Sequence, residues 1–176
     1  QDRELEIPFK SETSVLADSF RIGSSRAPNR LVANPMEGND ADKDGGPSSL
    51  TNRRYRRLAS GGSGVIWVEA TAVSRDGRSS PRQLLFTEQS ATTFRELVRE
   101  IKSCGKDSEG ESREPYVVLQ LTHSGRHSSP DGDPAPVIAH HQELLDEKYE
   151  VIDSNYPVVS DEELDDLKSK YIEAAG

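Results

Sequence analysis

The stretch Tyr116-Val117-Val118-Leu119-Gln120-Leu121-Thr122-His123-Ser124-Gly125-Arg126 constrains this chain more than any other. Pro115 precedes a short run of aromatic, β-branched and aliphatic residues, the pattern of a buried strand. Polarity then changes abruptly. Gln120, Thr122, His123 and Arg126 follow, with Gly125 free to bend the backbone. A buried strand that ends in hydrogen-bonding side chains is how an α/β protein builds a ligand site, because ligands sit beyond the carboxyl ends of the strands.

Two earlier stretches read as strands of the same kind. Leu31 to Asn34 stops at Pro35, which removes a backbone donor. Val65 to Glu69 is almost wholly apolar, as suits a parallel sheet buried on both faces. Helical patterns lie between and after them. Thr51 is placed to cap a helix to about Ser60, with Tyr55, Leu58 and Ala59 on one face and Gly61-Gly62 ending it. The run Arg53, Arg54, Arg56 and Arg57 reads as a solvated face. Thr87 or Ser90 opens a second helix, in which Phe94, Leu97, Val98 and Ile101 repeat at i, i+3, i+4 and i+7. Ser160 and Glu163 form a capping box for a third, continuing through Leu164, Leu167, Tyr171 and Ile172.

Strand–helix alternation predicts βα repeats and a parallel sheet. Ahead of them, Ser19 to Gly23, a turn at Ser24 to Pro28, and Arg30 to Val32 read as a small hairpin feeding the first strand. The connecting loops are expected at Asn39 to Ser49, Ser74 to Arg82 and Lys106 to Glu114, with a long polar loop over 127–159 and a polar extension over 1–19. A complete eight-stranded β/α barrel takes about 250 residues. The 176 residues here carry three barrel-type strands, so the expectation is one domain over 1–176 that forms the front of a barrel.

Composition narrows the function. A net charge of −9 argues against non-specific nucleic-acid binding. The lone Cys104 allows no intrachain disulfide and no four-cysteine cluster, and it suits a reducing cytoplasm. No run approaches the ~20 apolar residues of a membrane span. His123 and His127 have a metal-like spacing, but Gly125 lies between them directly after a strand, so no metal site is expected.

Gln-Leu-x-His-x-Gly-Arg after a short apolar strand resembles the old yellow enzyme family of FMN-dependent ene-reductases. Asn29 to Met36 is similar to that family's first barrel strand, which ends in Pro-Met or Pro-Leu. Gly61 to Val73, followed by Gly77-Arg78, is similar to its second. The motifs occur in the family's order, and the resemblance extends over about residues 15 to 176. It implies an α/β chain in a (β/α)8 TIM barrel, here the N-terminal hairpin and about the first three βα units.

The resemblance also implies roles. Gln120 would bond the pyrimidine edge of FMN, where an N–H sits beside a carbonyl, because a primary amide both donates and accepts. Pro35, Met36 and Ala70 would contact the isoalloxazine ring by backbone and packing, Ala70 being small enough for close approach. Glu37 departs from the pattern, since the family commonly has Thr or Cys there as a donor. An ionised Glu only accepts. If it points inward, it disfavours the anionic reduced flavin or is itself driven to take up a proton.

For the whole protein the resemblance implies an oxidoreductase that passes hydride from NADH or NADPH through FMN to the activated C=C of an enone or enoyl thioester. No catalytic residue is assignable in this chain. Its expected partners are that small unsaturated carbonyl substrate and the rest of the barrel, or a companion chain, with a homo-oligomer allowed. A truncated barrel segment acting as a non-catalytic assembly piece is the alternative.

Overall fold

A computed structural model describes residues 11–106, 113–149 and 155–176. Most of the loop expected at Lys106 to Glu114, the start of the N-terminal extension and part of the 127–159 connection lie outside the described residues.

Strand β1 (Phe20–Ile22) pairs antiparallel with β2 (Ser25–Ala27). Gly23, at φ 58, makes the tight turn between them. The hairpin is therefore earlier and shorter than expected, and residues assigned to its turn form its second strand. Strand β3 (Val32–Ala33) pairs parallel with β4 (Val65–Ala72), and β4 pairs parallel along its length with β6 (Tyr116–Thr122). β6 occupies one edge of β4, so β3 and a short fourth parallel strand, β5 (Leu84–Leu85), share the other. β5 was not anticipated, because two residues carry no periodicity. β4 also runs on past Glu69 to Ala72.

Helix α1 (Ser49–Ser60) begins at Ser48, not at Thr51. Ser48 and Thr51 satisfy each other's backbone donors in a capping box, so Thr51 is the third helical residue and is buried. Helix α2 (Ala91–Lys106) buries Phe94, Leu97 and Ile101, as its spacing requires. Helix α1 presents Tyr55 and Ala59 to the same core, and Phe94 tilts against Phe86 with ring centroids 5.3 Å apart. Phe94, Leu97 and Ile101 each contribute about 1.5–3 kcal/mol by burial. The long connection holds a short helix α3 (Glu143–Lys148) and a parallel bridge between Ile138 and Val158. Helix α4 (Asp161–Ala175) starts at the expected Ser160–Glu163 box.

Alternation sorts the sheet into two faces. Ala33, Ile66, Val68, Val117 and Leu119 pack with the helices. Val32, Trp67 and Val118 lie on the opposite face, where Val32 is 49% and Trp67 41% exposed. That face is the inner wall of a barrel, and the described residues leave it open.

Candidate functional site at the strand ends

The parallel register brings the carboxyl ends of β3, β4 and β6 to one rim. At that rim β4 is irregular. Val68 pairs with Leu119 and Thr71 with Leu121, so three steps on β4 match two on β6. Glu69 and Ala70 therefore both oppose Gln120. Such a bulge re-aims the side chains beside it.

Gln120 alternates onto the inner face with Val118. It is half-buried, and among the described residues its amide has no hydrogen-bonding partner. Gln83 behaves in the opposite way. It is 2% exposed, donates from Nε2 to the Ala70 carbonyl at 3.3 Å, and accepts at Oε1 from the Ser79 N–H at 2.6 Å. Gln83 is thus a bridge that holds the loop after β4 under Ala70, whereas Gln120 keeps donor and acceptor available to a ligand.

Pro35 is half-buried, Met36 is 75% exposed and Ala70 is buried at the bulge. Glu37 is exposed, and its carboxylate accepts from Ser79 Oγ at 3.1 Å. The mouth loop after β3 is pinned further along. Ser80 Oγ donates to Asn39 Oδ1 at 2.7 Å, and the Ala41 N–H donates to the Arg82 carbonyl at 3.0 Å.

Glu69 and Thr71, at the carboxyl end of β4, turn away from the mouth. Glu69 is 1% exposed and points its carboxylate at α1, where it accepts from Tyr55 Oη at 2.9 Å and from Arg54 Nη2. Thr71 is fully buried and donates to the Glu69 carbonyl. The bulge is the cause, because it adds one residue and inverts the alternation beyond Val68.

Arg54 is likewise not on a solvated face. It pairs with Glu69 and with Asp40, which also accepts from Thr51 Oγ1 at 2.7 Å. Burial pushes the Asp40 carboxyl up, but Arg54 and Thr51 outweigh it and hold Asp40 below the usual carboxylate range. Burial raises the Tyr55 phenol, and the Glu69 carboxylate raises it further. Arg54 stands three residues after Thr51 and next to Tyr55, at the border of the buried stripe, where its guanidinium reaches behind the sheet.

His123 and His127 do not converge. The His123 ring packs on Gly77, where a Cβ would approach it to 2.5 Å, and its Nδ1 accepts from the Gly125 N–H at 3.0 Å. His127 meets Tyr149 edge-on with centroids 4.5 Å apart. Among the described residues no cluster of three or more His, Cys, Asp or Glu is placed to hold a metal.

Residues 16–176 match the family model described as NADH:flavin oxidoreductase / NADH oxidase. The chain belongs to that family. An NADPH dehydrogenase of Bacillus pumilus is 34% identical over 107 residues, covering 60% of this chain and 29% of that protein. An NADPH dehydrogenase of Halalkalibacterium halodurans is 32% identical over 126 residues, covering 70% and 34%. The chain thus spans about a third of the length of these NADPH dehydrogenases. Among solved structures, old yellow enzyme from Pichia superposes with a TM-score of 0.70 at 19% identity, covering 92% of this chain and 42% of that one. A 2-naphthoyl-CoA reductase gives 0.74 at 18%, covering 92% and 25%. These likenesses establish the fold, a partial β/α barrel.

Proposed function

We propose that this chain forms part of the FMN floor of an oxidoreductase that passes hydride from NADH or NADPH to the activated C=C bond of a small unsaturated carbonyl compound, an enone or enoyl thioester. The single observation that carries the reading is the amide of Gln120, without a hydrogen-bonding partner among the described residues, beside the Glu69–Ala70 bulge. FMN, when bound, takes up hydride from the nicotinamide and releases it to the substrate carbon. The chain's own residues bind and orient. Gln120 donates to and accepts from the pyrimidine edge. Ala70 leaves the rim open to a flat ring, and Pro35 and Met36 supply contact from the β3 end, with Glu37 at its edge.

The chain alone is expected to bind FMN weakly and not to turn over, since no catalytic residue is assigned to it. The rest of the barrel, or a companion chain, completes the site. The same proposal places the protein in the cytoplasm, where a lone thiol such as Cys104 stays reduced. Among the described residues no helix is long and apolar enough to cross a membrane. Among the described residues β6 pairs with β4 alone, and this open edge favours a second reading, an assembly piece that pairs its sheet edge with another chain.

Intact mass and visible absorption of the natively isolated protein test both. Flavin absorption with a larger mass or a companion chain supports the oxidoreductase. A colourless species whose mass depends on a partner supports the assembly piece and removes the flavin reading.

A further inference from the structure

Glu69 is the point at which two strand ends are joined. Its Oε1 accepts from the backbone N–H of Gly38 at 2.9 Å, and its Oε2 accepts from Tyr55 Oη and Arg54 Nη2. Gly38 directly follows Met36-Glu37, while Glu69 itself stands in the bulge opposite Gln120. Arg54 reaches from α1 to both Glu69 and Asp40, so the loop is held at Gly38 and again two residues on. The approach is close enough that a Cβ on Gly38 would overlap the Arg54 guanidinium. Asn39, between the two anchor points, adopts φ 47, a left-handed conformation that asparagine tolerates.

A carboxylate this buried is costly unless it is fully bonded. An apolar residue would serve the core as well, so the ionic network points to a requirement for geometry. We propose that Glu69 is a positioning residue: through Gly38 and Arg54 it sets the β3-end loop against the flavin ring, in register with Ala70 and Gln120. Glu69 does not touch the cofactor. This inference rests on the flavin reading above.

The test uses the full-length protein, with FMN itself as the probe, and measures FMN affinity, visible absorption and thermal unfolding. Glu69→Ala is expected to weaken FMN binding about tenfold and to shift the flavin band. Glu69→Gln keeps one acceptor oxygen, enough for the Gly38 N–H, while its amide nitrogen gives up the pair with Arg54, and it is expected to recover part of the affinity. Leu97→Ala loosens the same core away from the loop and is expected to lower thermal stability while keeping wild-type affinity and spectrum. Should Glu69→Ala fail to fold, Gly38→Ala carries the test, because it displaces Arg54 at an exposed position. Wild-type affinity and spectrum in Glu69→Ala, or in Gly38→Ala where that variant stands in for it, overturn the proposal. So does an equal loss of affinity in Leu97→Ala. A wild-type protein that binds no FMN overturns the flavin reading, and this proposal with it.

Discussion

Tyr55 and Glu69 are bonded twice. The Tyr55 hydroxyl accepts from the backbone N–H of Glu69 at 2.7 Å and donates to the Glu69 carboxylate at 2.9 Å. One phenol therefore satisfies both a bulge amide that the sheet leaves unpaired and a buried charge. Tyr55→Phe removes both bonds without a change of shape. The expected loss is about 2 kcal/mol, or roughly 6 °C in Tm for a chain of this size. Thermal unfolding measures it. A change under about 0.5 kcal/mol would mean that water replaces the hydroxyl.

Asp40 makes stability depend on pH. Its folded carboxyl lies below its ordinary value, because Arg54 and Thr51 outweigh the effect of burial. Its contribution is therefore present above the unfolded pKa of about 3.9 and is lost as pH falls through the folded value. Urea midpoints at neutral pH should favour wild type over Asp40→Asn. That gap should close on acidification below about pH 4. A gap of constant size at neutral and acid pH would assign Asp40 a role independent of its charge.

The two glutamines separate fold from ligand. Gln83→Leu strands the Ser79 N–H and the Ala70 carbonyl and should cost about 2 kcal/mol of stability. Gln120→Leu removes no bond among the described residues and should leave stability within about 0.5 kcal/mol. In the full-length protein the second variant is expected to weaken FMN binding about tenfold. Unchanged FMN affinity in Gln120→Leu would remove the role proposed for the amide.

Glu37 is exposed at the rim, with Ser79 Oγ on its carboxylate. A negative charge beside the ring disfavours the anionic reduced flavin. Glu37→Thr in the full-length protein should therefore raise the flavin midpoint potential. Reductive titration against a reference dye reads it, and an unshifted potential would show that Glu37 does not face the ring.

The sequence by itself determined the elements whose cause is local. β6 is legible in its β-branched run, α2 in the spacing of Phe94, Leu97 and Ile101, and α4 in the Ser160–Glu163 box. Order of strands and helices then determined a parallel sheet, and the motifs at the strand ends pointed to Pro35, Met36, Glu37, Ala70 and Gln120 as residues of one rim. Tertiary structure decided the rest. Four arginines in one helix look alike along the chain, and only packing against β4 turns Arg54 inward to Asp40 and Glu69 while Arg53, Arg56 and Arg57 stay exposed or in solvent contact. The bulge at Glu69–Ala70 has no local signature, because it exists only in the register between β4 and β6. That one extra residue sends Glu69 away from the mouth and into the network behind it. Periodicity reports which face a residue shares with its neighbours in sequence. Which partner it meets there depends on segments 14 to 31 residues away, such as Tyr55 and Gly38 around Glu69.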